Sequence, residues 1–376
     1  MKIPFTPFCI TSLLALACIN IASANDIASP NTALTLAQVM APSGEKNTYL
    51  VQQVMQNKVT AKNISEHFDY FPDDPLNFLK QYGYEEIESS FKAIPSTVVD
   101  YQTLLAAGGD GNAHIAAGTN YAEHGEEADI DEVFLFPKFA QATPSYSQIR
   151  YQSDVLLDYE VELCMRWVDN LEKPEQVGGY VGLFVCGDFT DRAELLRKID
   201  VDNVTSGHGF SDAKSGEKRF PTGPYIVVPK NWQTFLNDIS LSTYVNGQQR
   251  QQAEAKEMLR SPKDLITMIL SSGALPLWRY EDQDVVLFEG TAITSEQNIV
   301  TGTPAGVIYN TPGWGYRIVK SLKWLATFSF VESGPIDYIL EEYIAESFAD
   351  NRYLQAGDKV QLTATYLGTI EVDITP

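Results

Sequence analysis

The chain has 376 residues, with 27 Lys+Arg against 49 Asp+Glu for a formal charge of −22, and 44% of its residues are hydrophobic. That hydrophobic fraction excludes intrinsic disorder, the ordinary Gly and Pro content excludes collagen-like and low-complexity classes, and the length suits one large domain with an appendage or two domains. The charge argues against nucleic acid and an anionic bilayer as partners, because no Lys/Arg-rich stripe relieves the repulsion.

Taken in chain order, Met1-Lys2, the apolar stretch from Phe8 to Ile21 and the small residues Ala22-Ser23-Ala24 form the pattern of a secretory signal peptide. Residues 1–24 are therefore read as an export signal cleaved near Ala24, and the mature protein as secreted and periplasmic. The alternative is a lipoprotein site at Ala15-Leu16-Ala17-Cys18, with Cys18 lipidated. No later segment reaches about 18 uninterrupted apolar residues, so no membrane span is expected. Cys9 and Cys18 fall inside the signal, which leaves Cys164 and Cys186 as one disulfide or as two small buried thiols.

Residues 25–105 read as a mainly helical N-terminal appendage, with apolar residues recurring at Leu34, Leu36, Val39 and Met40 and again at Leu50, Val51, Val54 and Met55. From about Thr97 the texture turns to short Val-, Ile-, Tyr- and Phe-rich runs separated by Gly, Asn, Asp and Pro. The predicted strands are Leu156–Met165, Gly179–Cys186, Tyr225–Val228, Ile239–Val245, Asn298–Thr301, Lys359–Thr365 and Gly368–Ile374, with a hairpin turn at Asn246-Gly247. Helical pattern returns at Ala193–Ile199 and Pro262–Ser272, and residues 314–353 read as a partly helical insertion. The fold class is α+β, dominated by β.

The sharpest chemical feature is Asp158-Tyr159-Glu160-Val161-Glu162-Leu163. On a strand the side-chain period is two, so Glu160 and Glu162 share a face. An alternating strand wet on its acidic side is the competing explanation. If the strand ending in Gly187-Asp188 returns antiparallel beside it, Asp188 joins the two glutamates. Three convergent carboxylates suit a hard divalent cation, with Mg²⁺ expected and Mn²⁺ or Ca²⁺ as alternatives, and no His- or Cys-rich spacing points to zinc.

Several short motifs then occur in one order: Gly118-Thr119-Asn120-Tyr121-Ala122-Glu123-His124, Asp158 to Leu163, Asp188 with Arg192, Lys214, Pro221-Thr222-Gly223-Pro224, Val245-Asn246-Gly247, and Thr301-Gly302-Thr303-Pro304-Ala305-Gly306-Val307. From about Ala107 onward the chain resembles the C-terminal catalytic domain of the fumarylacetoacetate hydrolase family. The resemblance implies a mixed β-sandwich roll over residues 106–376, a homodimer, and a divalent ion held by Glu160, Glu162 and Asp188 and chelated by a small-molecule 2-oxo acid. It also implies a catalytic His124 paired with Glu127, a Lys214 facing developing enolate charge, and substrate contacts from Tyr121, Arg192 and Thr303. Such an enzyme would hydrolyse a C–C bond of a 2-oxo or 1,3-diketo acid. The alternatives are 2-hydroxydienoate isomerisation, oxaloacetate-type decarboxylation, or a catalytically weakened periplasmic binding protein for metal-chelating acids.

Three departures from the family pattern surround the pocket. Gly187 and Ala193 stand where Asn and Asp are usual, Leu195 stands where a glutamine is frequent, and the strand before Thr301 is flanked by the acidic segment 280–296 and the insertion. If Glu162 lies opposite Asp188, Cys164 lies opposite Cys186, which predicts a disulfide tying the two strands together.

Overall fold

The computed structural model describes residues 23–331 and 333–376. Residues 1–22 of the export signal expected over 1–24, and the alternative lipoprotein site at Cys18, lie outside the described residues.

Ten strands form one mixed sheet in the order Thr97–Asp100, Lys58–Asn63, Lys46–Met55, Ala33–Met40, Ile226–Pro229, Val181–Gly187, Val161–Trp167, Ile299–Val300, Ala113–Gly118 and Phe134–Phe139. Its neighbours pair antiparallel except Ile299–Val300 with Ala113–Gly118. A second sheet of five strands runs Gln248–Glu254, Ser240–Val245, Lys359–Ala364, Gly368–Thr375 and Tyr146–Arg150. Its middle strands lie against Val161–Trp167 and Val181–Gly187, and one continuous hydrophobic core fills the space between the layers. This is the strand-rich α+β class read from the sequence.

The N-terminal segment differs from the mainly helical appendage expected of it. Residues 25–105 hold four strands of the main sheet and only short helices, Ile64–Phe68, Asn77–Tyr82 and Tyr84–Ser90. Ala33 to Ala37 are all buried, so both faces of that strand are covered and the polar alternation that marks a half-exposed strand is missing. A run of this kind imitates a buried helix. The segment is no appendage either, because Leu34 pairs with Val228 and Leu36 with Ile226.

Elsewhere the local signals hold. The helix Pro262–Ser272 starts at the N-cap Ser261, whose hydroxyl accepts from the Asp264 N–H, with Pro262 at its first position. Asn246 and Gly247 adopt φ of 51° and 77°, the two positive values that a tight hairpin demands. The returning strand Gln248–Glu254 carries almost no apolar signal, and hydrophobic patterning does not reveal it. The insertion is a pair of helices, Trp314–Ala326 and Pro335–Ala349, and the outer face of the first exposes Ile318, Val319 and Leu322. Among the described residues no helix is long and apolar enough to cross a membrane.

Candidate active site

The strand Val161–Trp167 is buried along its whole length, so the acidic side assigned to Glu160 and Glu162 is dry: they are 3% and 2% exposed. Burial removes the explanation of a solvated alternating face. Glu160 precedes this strand, in a break after Leu157–Asp158, and its carbonyl accepts the Asp188 N–H at 2.9 Å. One carboxylate oxygen from each of Glu160, Glu162 and Asp188 lies within 4.8 Å of the other two.

The strand register differs from the expected one by two residues. Cys186 lies opposite Glu162 and Phe184 opposite Cys164. A slip of two leaves each side chain on its own face, and so the three acids still converge. Cys164 and Cys186 become diagonal neighbours, at a Cα–Cα distance of 5.8 Å, and are disulfide-bonded. The glycine before Asp188 has a steric reason: a Cβ on Gly187 would stand 2.7 Å from Leu362 Cδ1 in the facing sheet and 2.9 Å from Pro221 Cγ.

Three buried cations hold the acids. Lys214, from the helix Phe210–Lys214, donates to Glu160 Oε2 at 2.6 Å, Asp188 Oδ2 at 2.9 Å and Thr190 Oγ1 at 2.8 Å. Lys138 donates to Asp188 Oδ1 at 2.7 Å and to the Lys214 carbonyl. Arg192 donates to Asp158 Oδ2 at 2.9 Å and to Glu160 Oε1 at 2.7 Å. It lines the cavity, and through two of its nitrogens it positions Glu160.

Asp158, Glu160, Glu162 and Asp188 against Lys138, Lys214 and Arg192 leave one negative charge in excess, and it falls on Glu162. Burial pushes the Glu162 carboxyl well above the usual carboxylate range, and the charges of Asp188 and Glu160 add to the effect. Asp188 goes the other way: burial alone would raise it, but Lys138 and Lys214 outweigh burial and hold it low. A divalent cation would relieve the crowding at Glu162, so the donor set fits one. Carboxylate oxygens are the donors that Mg²⁺ and Ca²⁺ take.

The Thr301-to-Gly306 loop uses two glycines to aim N–H groups at two acids. Gly302 has φ of 103° and no room for a Cβ, which would meet Asn120 Cβ at 2.7 Å, and its N–H donates to Glu162 Oε2 at 2.5 Å. Gly306 has φ of 105°, its Cβ would meet the Arg250 carbonyl, and its N–H donates to both Glu127 oxygens at 2.9 and 3.1 Å. Glu127 in turn sits 3.3 Å from His124 Nδ1, one turn apart on the short helix Ala122–Ala128. His124 lines the cavity and Glu127 lies behind it.

Two expected substrate contacts are changed by the packing. Tyr121 is 1% exposed, is not part of the cavity wall, and its hydroxyl has no hydrogen-bond partner among the described residues. Thr303 does line the cavity, yet its hydroxyl donates to the Val161 carbonyl at 2.9 Å and accepts from Gln251 Nε2 at 2.8 Å. A carboxylate there would have to meet backbone N–H instead. Sequence reasoning does not find Lys138 or Gln251. A lysine inside the apolar strand Phe134–Phe139 is the available signal for the first; Gln251 carries none.

These residues close one end of a cavity of about 330 Å³. Strand-rich layers enclosing a buried set of oxygen ligands for a hard cation, with a histidine–glutamate pair beside it, define an enzyme site. The fumarylacetoacetate (FAA) hydrolase C-terminal model matches residues 113–375, and the chain belongs to that family. The 4-hydroxyphenylacetate degradation bifunctional isomerase/decarboxylase of Salmonella dublin is 27% identical over 209 residues, covering 53% of this chain and 42% of that protein. The chain therefore spans less than half the length of that relative. The oxaloacetate tautomerase YisK of Bacillus subtilis (strain 168) is 23% identical over 271 residues, 69% of this chain and 68% of that one. In fold, the chain is similar to the fumarylacetoacetate hydrolase of psychrophilic Exiguobacterium antarcticum (TM-score 0.60, 19% identity, 91% of this chain and 99% of that one). It is also similar to the 2-hydroxyhepta-2,4-diene-1,7-dioate isomerase of Mycobacterium marinum (TM-score 0.54, 18% identity, 91% and 98%).

Proposed function

We propose that the protein is a divalent-metal-dependent hydrolase of a small 2-oxo or 1,3-diketo carboxylic acid of the acylpyruvate type, with Mg²⁺ as the resident ion held by Glu160, Glu162 and Asp188. Water adds to the acyl carbonyl, the adjacent C–C bond breaks with its electron pair passing to the pyruvate half as an enolate, and protonation gives one carboxylic acid and one pyruvate. A bound divalent cation supplies electrostatic stabilisation for charge developing on the 2-oxo oxygen.

The observation that carries this reading is the His124–Glu127 pair, hung from the Gly306 N–H at the wall of the cavity that ends in the acidic triad. In the neutral ring, a bond from Nδ1–H to Glu127 leaves the lone pair on Nε2, where it can take the proton of the attacking water. Lys214, held by Glu160, Asp188 and Thr190, keeps an ammonium beside the site of enolate charge. Its pKa is raised, since the neighbouring carboxylates outweigh burial.

Release of pyruvate from acetylpyruvate, with Mg²⁺ and again after chelation, tests the reading. Metal-dependent release supports it; metal-dependent binding without turnover would make the protein a binding module. The curated relatives favour a second reading, isomerisation or decarboxylation, because their names are those of an isomerase/decarboxylase and a tautomerase. Oxaloacetate under the same conditions, followed for CO₂ release and for keto–enol exchange, separates the two.

Export to the periplasm and assembly as a homodimer complete the proposal. A disulfide suits an oxidising compartment. Cell fractionation and light scattering test these two points.

A further inference from the structure

The wall of the cavity changes character with distance from the triad. Arg192, Leu195, Leu196 and Ile199 recur at the i, i+3, i+4, i+7 spacing of one face of the helix Arg192–Lys198 and its cap, and all four line the cavity. The guanidinium at the start of that face touches Glu160, and the other three side chains are hydrocarbon. A helix rise of 1.5 Å per residue puts Ile199 about 10 Å beyond Arg192, the reach of a chain of about eight carbons.

Two further elements build the same surface. Phe134 and Phe136 line it from their strand, and Phe210 packs on both rings at centroid distances of 4.7 and 5.5 Å. The inserted helix Pro335–Ala349 also contributes Ile336 and Leu340. That helix is fixed to the Arg192–Lys198 helix by the Arg197–Glu341 ion pair, with nitrogen–oxygen distances of 2.9 and 3.2 Å, and by packing of Leu196 on Ile344 and Tyr343.

The charged groups of this outer region do not suit a second carboxylate. They are Asp129, Asp202 and Arg317. Arg317 already donates to the Pro312 carbonyl at 2.7 Å and stands 3.4 Å from Asp129. Arg317 is thus the cation of this outer region and shares it with two carboxylates, Asp129 and Asp202, which would repel an anion there.

We infer that the substrate is a monoanionic acylpyruvate whose acyl group is an apolar tail of about six to eight carbons, lying between the Arg192–Lys198 helix, the phenylalanine wall and the inserted helix. The inference rests on the hydrolytic reading of the triad end and names the chemistry of the other half of the ligand. Leu195, standing where the family frequently has glutamine, then has a reason: a polar group at that position would face the tail.

The test is a homologous series assayed with Mg²⁺: acetylpyruvate, hexanoylpyruvate, octanoylpyruvate, and an acylpyruvate of octanoyl length ending in a carboxylate. The expected result is a rise in kcat/KM of about three- to four-fold per added methylene, levelling near eight carbons, with the terminally carboxylated compound falling well below its alkyl counterpart. A flat series, or the carboxylated compound as best substrate, overturns the inference. Calorimetric binding of pyruvate and 2-oxodecanoate to the Mg²⁺-loaded protein separates this from a failure of the hydrolytic reading. Tighter binding of the longer acid without turnover keeps the tail site and removes hydrolysis, whereas equal affinities remove the tail site. In the Ile336→Asp, Leu340→Asp variant the chain-length dependence should flatten, and a dependence as steep as in the parent would overturn the role of the inserted helix.

Discussion

Lys138 and Asp188 form an ion pair at 2.7 Å in which the side chains are 0% and 1% exposed. The same ammonium donates to the carbonyl of Lys214, whose own ammonium holds the other oxygen of Asp188. One buried lysine thus fixes both an acid of the triad and the backbone of the second cation.

Removing that lysine leaves a buried carboxylate with one cation partner. Lys138→Met should lower stability by about 3–5 kcal/mol, read as a shift of the urea midpoint. A loss below about 1 kcal/mol would show that solvent reaches Asp188.

Glu162 is the acid of the triad with no lysine or arginine partner among the described residues, only the Gly302 N–H. Glu162→Gln should weaken divalent-cation binding by at least about 100-fold in calorimetry and leave the chain folded, because it removes an uncompensated charge. Unchanged affinity would remove this residue from the ligand set.

His124 on the cavity wall and Glu127 behind it form a hydrogen-bonded pair. Glu127→Gln and His124→Ala should each lower kcat by about 10²–10⁴-fold, while Mg²⁺ affinity stays within about two-fold of the parent. The double variant should be little worse than His124→Ala alone, since a base and its orienting group are not additive.

His114 supplies a pH signature away from the chemistry. Burial pushes its imidazole down to about 3; its bond to the Ala140 carbonyl opposes this, and the charges of Lys138 and Arg166 add to it. The ordinary value is near 6.5, so between these values the unfolded chain binds a proton that the folded one refuses. Its stability contribution is fully present above about pH 6.5 and is lost as pH falls toward about 3, by at most about 5 kcal/mol. In denaturation curves across this window, His114→Asn should lose less stability than the parent; parallel curves would contradict a neutral buried ring.

Much of the site is legible in the sequence because its residues obey local rules. Glu160 and Glu162 alternate on an extended segment, Asp188 ends the neighbouring strand, and the glycines of Thr301-Gly302-Thr303-Pro304-Ala305-Gly306 sit at positive φ where a side chain has no room. Lys138, Gln251 and the N-terminal strands are hidden for different reasons. A buried lysine is recognisable only from its partners, a polar strand shows no hydrophobic period, and a strand covered on both faces looks like any other apolar run.

The sequence by itself determined the family, the strand-rich class and the acids that meet at one point, because motif order and period-two patterning are properties of the chain. Only the tertiary structure decided that these acids are dry, that three cations leave one negative charge over, and that the inserted helix turns the outer cavity apolar. Burial and charge balance are sums over neighbours far apart in sequence, and packing alone determines which neighbours those are.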